Sequence, residues 1–332
     1  MPALYLPTDV VTGEPIDVDL AADYLELTAF FAADGAARTS DLANAASLGA
    51  AEDHVDVQAE MFDGEEEIVS SAASRIQARH DALGTVYPFA LDGRGEVLTC
   101  GLNEESLGQT AYVLSLVLSN LRALTPVLEG SNLHPGNAEV PRLREYFQFF
   151  ATAALAAEVQ GHAWSFGFPR PDGSPFLHKL EQIWLQLGDG RVEPQAGVPR
   201  RPKDDRVDVF AARPHPDRLP GFPLVAAQVA TGRNARAKSL KGHLSAFKSR
   251  WFGTQPVTDF IPYMVVPFAT ADNQFVDDVR VMGNVLHRLR VPRRVEEAAR
   301  LIEEGVTIEG YDRLAEVARW VAEYRHRAGA AA

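Results

Sequence analysis

"RVDVFAARPHPDRLPGFPLVAAQVATG", residues 206–232, consists of two short apolar runs separated by a proline-rich connection. The apolar runs favour β-strands, and the Pro, Gly and Asp residues between them favour a turn. The stretch therefore predicts a β-hairpin. Two polar residues interrupt its apolar pattern, Asp208 in the first strand and Gln228 near the end of the second.

The segments on either side of this hairpin extend the pattern. FLHKLEQIWLQLGDG, residues 176–190, predicts an amphipathic helix that ends at Gly188. After the hairpin, residues 234–253 predict a basic helix and residues 259–269 a further apolar strand. A helix, a hairpin, a crossover helix and a last strand together predict an α/β fold with a mixed sheet flanked by helices.

Length and composition limit the class of protein. With 332 residues and 46% hydrophobic content, the chain is long enough for a substantial core and for two domains. Its single cysteine, Cys100, permits neither an intramolecular disulfide nor a cysteine-based zinc site. No signal-like or membrane-length apolar run is present, so we expect a cytoplasmic protein with no membrane association.

The first 165 residues predict a mainly helical, acidic domain that contains one β-hairpin, at residues 85–102. Its first two helices, near residues 19–35 and 39–49, would also suit a helix-turn-helix, but they lack the basic residues that hold such a unit on DNA. A loop rich in Gly and Pro follows at residues 167–175. We therefore predict two domains, residues 1–165 and 166–332.

Charge is distributed unevenly along the chain. Residues 1–110 hold 21 acidic and 4 basic residues, a net charge of -17, whereas residues 199–250 hold 12 basic and 4 acidic residues, a net charge of +8. The basic window would attract a polyanion that the acidic region repels, unless both are simply solvated surfaces. The acidic region would either cover the basic one at rest or dock a basic protein partner.

The two polar residues of the hairpin suit metal chemistry. A carboxylate and an amide that converge from neighbouring strands supply the oxygen ligands that Mg²⁺ prefers. Hydrolysis of a phosphodiester bond needs such a cation to activate water and to neutralise the phosphate, and a lysine commonly stabilises the developing charge. Taken alone, Asp208 and Gln228 also admit purely structural roles.

The runs VDVFAAR and VAAQVATG resemble the core of the PD-(D/E)XK nuclease superfamily, in particular its Mrr-like restriction branch, over residues 176–268. That family carries an Asp on its second strand and then Glu, Asp or Gln, one residue, and Lys on its third. Asp208 and Gln228 match the first two positions. The resemblance implies a restriction-endonuclease-like core. It further implies a DNA endonuclease that depends on Mg²⁺ or Mn²⁺ and serves anti-phage defence. We expect double-stranded DNA as its substrate and, because cleavage of both strands by one site needs two copies, a homodimer or larger complex.

The sequence departs from the family pattern at two positions. Ala230 stands where the family has Lys, so a replacement must come from the next helix, with Lys238 as first choice and Lys241 as second. On the preceding helix, where the family often has Glu directly after an aromatic residue, the nearest acid is Glu181, one turn further along.

The resemblance thus implies a complete set of site residues. The metal ligands would be Asp208, Glu181, the Gln228 side chain and the Val229 carbonyl, and Lys238 would steer the attacking water. Phosphate contacts would come from the basic segment, with Trp251 either a core anchor or a stacking residue. The basic residues assigned to DNA are Arg233, Arg236, Lys241, Lys248 and Arg250.

Two further alternatives stay open at this stage. The chain contains no Gly-x-x-x-x-Gly-Lys phosphate loop, so an ATP-driven helicase or translocase would be a separate partner, docked through the acidic region. Because Ala230 replaces the family's Lys, the chain would otherwise be an inactive nuclease-fold subunit that binds DNA or a partner protein.

Overall fold

The computed structural model describes residues 4, 6, 17–52, 58–121, 127–199, 202–232, 234–270 and 272–330. The fold is mixed α/β and divides into two compact units. The first unit comprises Met1–Leu143, Pro267–Ala271 and Glu316–Ala332, and the second comprises Arg144–Val266 and Asp272–Ala315. No helix in these described ranges is long and apolar enough to cross a membrane.

The helices and strands follow one another in an order that mixes the two types throughout. In chain order they are α1 (Val18–Phe31), β1 (Ala36–Arg38), α2 (Thr39–Glu52), α3 (Gln58–Leu83), β2 (Phe89–Leu91), β3 (Val97–Cys100), α4 (Leu107–Ser119), α5 (Val140–Val159), β4 (His162–Ser165), α6 (Phe176–Leu187), β5 (Arg191–Val192), β6 (Val209–Ala212), β7 (Leu224–Val229), α7 (Leu244–Trp251), β8 (Phe252–Thr254), β9 (Ile261–Val265), α8 (Asp272–Met282), β10 (Asn284–Leu286), α9 (Val291–Glu303) and α10 (Leu314–Ala330).

The first unit combines helices with a three-stranded antiparallel sheet of order β1-β3-β2. The predicted hairpin is confirmed, since β2 and β3 pair with Phe89 opposite Cys100. The connection between α1 and α2 contains strand β1, which pairs with β3, rather than the short turn of a helix-turn-helix.

A buried ionic cluster joins the helices of the first unit. The fully buried Arg79 of α3 donates to the Glu26 carboxylate of α1 at 2.7 Å and lies 2.8 Å from carboxylate oxygens of Asp19 and Asp23. The hydroxyl of Tyr112 also donates to Glu26. Several acids of this region therefore face inward, so its net charge of -17 overstates the charge at its surface.

The last helix, α10, completes the core of the first unit. The ring of Tyr324 lies 5.2 Å from that of Phe31 in α1, and its hydroxyl donates to the Leu133 carbonyl at 2.5 Å. Trp320 on the same helix donates its indole N–H to Glu139. The two ends of the sequence thus build one hydrophobic core.

The second unit is built on a five-stranded mixed sheet of order β10-β9-β7-β6-β4. The pairs β4–β6 and β6–β7 are antiparallel, while β7, β9 and β10 run parallel to one another. The connection from β7 to β9 passes through α7, as a parallel pair requires. The predicted hairpin strands, the last strand and the helix ending at Gly188 are all confirmed.

The structure divides the chain at a different place from the predicted boundary between residues 165 and 166. Strand β4 pairs with β6 over four residues, from His162↔Ala212 to Ser165↔Val209. Residues 144–165 consequently belong to the second unit, and residues 316–332 belong to the first.

The single helix predicted over residues 234–253 is wrong. The segment forms a 3₁₀ turn, Arg236–Lys238, and then the eight-residue helix α7. Between them the Ser239 hydroxyl donates to the Val281 carbonyl and accepts from the Lys241 amide, while Leu240 is fully buried. A serine that bonds to nearby backbone competes with helix formation, and Gly242 adds its own low helix propensity.

Trp251 is a core anchor rather than an exposed stacking residue. Only 1% of it is exposed, and its ring lies 4.5 Å from that of Phe176 at the start of α6. Its indole N–H donates to the Asp205 carboxylate at 2.6 Å. The last residue of α7 thereby ties the segment that leads into β6 to the aromatic core.

We expect Trp251→Ala to lower the free energy of unfolding by roughly 3–5 kcal/mol, because it removes a large buried side chain. Trp251→Phe should cost less, about 1–3 kcal/mol, mainly through the lost hydrogen bond to Asp205. Urea unfolding followed by circular dichroism measures both. Leu185→Ala, at an 86% exposed position of α6, serves as control and should change stability by no more than about 0.5 kcal/mol. A loss of that same small size for Trp251→Ala would contradict the core assignment.

Candidate functional site

Asp208 lies immediately before β6, where three strands of the second unit meet. Its amide donates to the Ala227 carbonyl of β7 at 2.8 Å. Its own carbonyl accepts from the amides of Phe166 and Gly167, which directly follow β4, at 2.7 and 2.8 Å. The backbone on both neighbouring strands therefore fixes the position of this aspartate.

The structure brings Asp208 and Gln228 into direct contact. One carboxylate oxygen, Oδ2, accepts from the Gln228 side-chain amide and, at 2.8 Å, from the backbone N–H of Val229. Each of the two side chains is only 8% exposed. The convergence predicted from the hairpin pattern is present, with the nitrogen of the glutamine amide facing the carboxylate.

The other carboxylate oxygen, Oδ1, faces Gln148 across Gly167. A Cβ placed on Gly167 would lie 2.7 Å from Asp208 Oδ1 and 2.8 and 2.9 Å from Gln148 Oε1 and Nε2, so a side chain there would displace the ends of both residues. Gln148 is on α5 and donates to the Ser165 hydroxyl at 2.6 Å. The lack of a side chain at Gly167 is thus what allows these polar groups to approach one another.

Sequence reasoning did not identify Gln148 as a site residue, although a signal for it existed. It lies within an apolar run, and it is the one partly exposed residue between Tyr146 and Ala157 on a helix that is otherwise buried all round. A polar residue in such a run needs a polar partner, because an unpaired buried amide is costly. Ser165 and the approach to Asp208 provide that environment.

Burial raises the pKa of Asp208 from its ordinary 3.8 to about 7. The charge of Asp204 acts in the same direction, whereas the hydrogen bonds from Val229 and Gln228 and the positive charge of Lys238 oppose it. A carboxyl group of this kind changes its charge near neutral pH, and perturbed pKa values of this size are frequent at functional sites.

The structure distinguishes between the two lysines proposed to replace the missing family residue. Lys238 is half-buried on the 3₁₀ turn, its charge acts on Asp208, and its ammonium forms no ion pair within the described part of the chain. Lys241 is exposed, and its ammonium donates to the Arg280 carbonyl at 2.9 Å. Ala230 is fully buried, and its amide completes the sheet by donating to Val265.

Glu181 is on the exposed side of α6, opposite the face that packs into the core through Leu180, Ile183 and Trp184. Among the residues that the structure describes, Glu181 makes no contact with Asp208, and no group of three or more His, Cys, Asp or Glu side chains is arranged to hold a metal ion. The acid whose charge acts on Asp208 is Asp204.

The ends of the Asp208 and Gln148 side chains would suit one hard cation held through the Asp208 carboxylate. Asp208 Oδ1 and the Gln148 amide atoms Oε1 and Nε2 lie 2.7, 2.8 and 2.9 Å from the position that a Cβ on Gly167 would take, and oxygen ligands with several retained waters are what Mg²⁺ prefers. Gln228 presents its nitrogen to Asp208, so its use as a ligand requires the amide to turn over. Val229 contributes an N–H to the carboxylate, and its carbonyl remains a proposed ligand.

Most of the basic residues assigned to DNA bond within the protein. Arg233 lies outside the described residues. The other four have internal partners: Arg236 pairs with Asp278, Lys241 with the Arg280 carbonyl, Lys248 with the Thr258 carbonyl and Asp259, and Arg250 with Asp205. Arg236 and Lys241 keep exposed side chains and remain accessible to phosphate, whereas only 14% of the Lys248 side chain and 35% of that of Arg250 are exposed.

Comparisons of the chain with protein-family models, with curated proteins and with solved structures gave no match. The chemistry of the site therefore has to be argued from its own residues.

We expect Asp208→Asn to raise the free energy of unfolding at pH 8 by roughly 2–4 kcal/mol. Since the pKa of Asp208 is higher in the folded chain than in the unfolded one, the folded chain binds more protons between about pH 4 and 7, and stability falls as pH rises through that range. Asparagine keeps one acceptor oxygen for Gln228 and Val229 and has no charge to bury. Urea unfolding of wild type and variant between pH 4 and 8 measures the difference.

Asp189→Asn is the matched control, because Asp189 is another buried acid that accepts two hydrogen bonds, in this case both from backbone amides. It uses both oxygens, one for Val257 and one for Thr258, so an asparagine leaves one amide unpaired. This variant should lose about 1–3 kcal/mol. Equal losses for the two variants at pH 8 would rule out the charge-burial account of Asp208.

Proposed function

We propose that this chain is a metal-dependent nuclease that hydrolyses phosphodiester bonds of DNA at Asp208. The observation that carries the proposal is the buried Asp208 carboxylate, held between Gln228 and the Val229 amide and influenced by a half-buried Lys238. Maintaining a carboxyl group with a pKa of about 7 costs folding stability, and proteins retain such costs mainly at working sites.

Asp208 would hold Mg²⁺ or Mn²⁺ through Oδ1, with Gln148 as the neighbouring oxygen ligand in the place that the sequence pattern gave to Glu181. The bound cation would supply a polarised phosphate and a water of lowered pKa. Asp208 binds a cation only as the carboxylate, so activity should increase as pH rises through the pKa of Asp208. The two donors on Oδ2 hold the carboxylate in one orientation, which leaves Oδ1 as the ligand atom.

Lys238 would neutralise the charge that develops on the phosphate. Its ammonium forms no ion pair among the described residues, so no internal bond has to break before it can act. Lys241 would first have to leave the Arg280 carbonyl. Substitution of the two neighbouring lysines should therefore lower the cleavage rate by different amounts.

We also propose an oligomeric state and a biological role for this nuclease. Cleavage of both strands by one site per chain requires two copies, so we propose a homodimer. A restriction role in anti-phage defence follows from the sequence resemblance alone, as does an ATP-driven helicase or translocase as partner. The acids that remain exposed in the first unit, including Glu66 and Glu67, would provide the docking charge.

A second candidate is an inactive nuclease-fold subunit that binds DNA or a partner protein. Three observations favour it: Ala230 is buried, the described residues contain no group of three or more His, Cys, Asp or Glu side chains that could hold a metal ion, and the Gln228 amide nitrogen donates to the Asp208 carboxylate. In such a protein the Asp208–Gln228 contact would serve only to close the end of the sheet.

Incubation of the purified chain with supercoiled plasmid and Mg²⁺ or Mn²⁺ tests catalysis. We expect nicking by wild type, loss of at least a hundredfold in rate for Asp208→Asn, and loss of roughly tenfold or more for Lys238→Ala. Lys241→Ala should lower the rate less than Lys238→Ala does, because the Lys241 ammonium is bound to the Arg280 carbonyl and would contribute a phosphate contact only. Absence of nicking with every divalent metal, or equal nicking by Asp208→Asn, would eliminate the catalytic proposal.

Calorimetric titration with Mn²⁺ separates the two candidates. A working site should bind Mn²⁺ at pH 8 and lose that binding in Asp208→Asn, and binding should weaken toward pH 6 as Asp208 becomes protonated. A structural Asp208–Gln228 contact predicts the same heats for both proteins.

A further inference from the structure

Phe168 is an exposed aromatic residue next to the proposed catalytic site. It follows Gly167, whose amide donates to the Asp208 carbonyl and whose Cα lies against the Asp208 carboxylate. The residue is 55% exposed, while the neighbouring Phe166, two positions earlier, is fully buried. An aromatic ring that faces solvent one residue from the site calls for an explanation beyond core packing.

A cation accompanies this ring. The ammonium of Lys203 lies 5.7 Å from the centre of the Phe168 ring, within the range of a cation–π contact. Lys203 is exposed and forms no ion pair in the portion of the chain that the structure describes. Arg206, three residues later, is likewise exposed and unpaired there. Acidic residues also lie nearby, since the charges of Asp172 and Asp204 act on Arg170.

Buried Arg170 fixes the pair in place. Its guanidinium donates to the Lys203 carbonyl at 2.7 Å, to the Phe166 carbonyl at 3.2 Å and to the Ser174 carbonyl at 2.7 Å. Only 7% of Arg170 is exposed. These bonds join the backbone of the loop that carries Phe168 to the backbone of the segment that carries Lys203.

The other large exposed apolar side chains of this unit do not share these properties. Leu185, Leu219 and Val257 are more exposed than Phe168, but they are aliphatic. An aliphatic side chain gives no flat face for a base to stack on. Phe168 instead combines an exposed flat ring with the ammonium of Lys203, directly after Gly167.

We propose that Phe168 and Lys203 form a nucleobase-stacking subsite that selects an unpaired nucleotide next to the phosphodiester bond to be cut. The ring would stack on the base, and Lys203 would bind an adjacent phosphate. A base within an intact duplex has both faces covered by its neighbours, so this subsite takes single-stranded DNA, a frayed end or a flipped nucleotide. The inference rests on the proposed nuclease function and narrows its substrate class.

Binding without cleavage tests the subsite. Fluorescence anisotropy in EDTA would compare a labelled 20-nucleotide oligothymidine with a 20-base-pair duplex. We expect wild type to bind the single strand more tightly than the duplex. Phe168→Ala should weaken binding of the single strand about tenfold, whereas Phe168→Tyr, which keeps an aromatic ring, should bind it as wild type does. Lys203→Ala should reduce the magnitude of the slope of log affinity against log salt concentration by about one, as expected for the loss of one phosphate contact. Leu219→Ala, at an exposed aliphatic position, should bind as wild type does.

An oligonucleotide of abasic sites provides the chemical control, since it keeps the phosphates and lacks the bases. Phe168→Ala and wild type should bind it equally. Equal affinity of the two proteins for oligothymidine, or a wild-type preference for duplex, would overturn the subsite. The plasmid assay decides the nuclease function separately: base-dependent binding without Asp208-dependent nicking would refute catalysis alone, and nicking without a Phe168 effect would refute the subsite alone.

Discussion

The contacts around the Asp208 carboxyl group are the constraint on which the site depends. One oxygen accepts from the Val229 amide and the Gln228 side chain, while the backbone carbonyl of the same residue accepts from Phe166 and Gly167. A single residue thus connects the ends of three strands, and it does so with a group that is expensive to ionise where it lies. The hydrogen bonds on Oδ2 hold the carboxylate in place. Oδ1 takes no part in them, and we propose it as the metal ligand.

The surface charge of both units differs from the net charge of their residues. In the first unit, Arg79 draws Asp19, Asp23 and Glu26 into a buried cluster, so part of the strong negative charge is internal. In the second unit, the basic window loses Lys248 and Arg250 to contacts with backbone carbonyls and acids. A side chain contributes to a surface field only when its charge is neither paired nor buried, and the sequence does not report either condition.

The sheet and the Asp208–Gln228 contact could be predicted from the sequence, because alternation and a short connection set which residues of a hairpin lie opposite each other. Gln148 and Phe168 could not be predicted as readily. Gln148 reaches the site from a helix 60 residues earlier in the chain, and Phe168 lies on a loop whose course is set by tertiary bonds from Arg170. The helix predicted over residues 234–253 failed for a similar reason, since burial of Leu240 and the Ser239 bond to Val281 outweigh local propensity.

The return of α10 to the first unit has a consequence for biosynthesis. Tyr324 and Trp320 close a core whose other members, including Phe31, leave the ribosome about three hundred residues earlier. That core cannot be completed until α10 has been synthesised, whereas the sheet of the second unit is fully synthesised once β10 has emerged. The first unit therefore completes its core after the sheet of the second unit has been made, and during elongation its open apolar surface would be a natural target for chaperones.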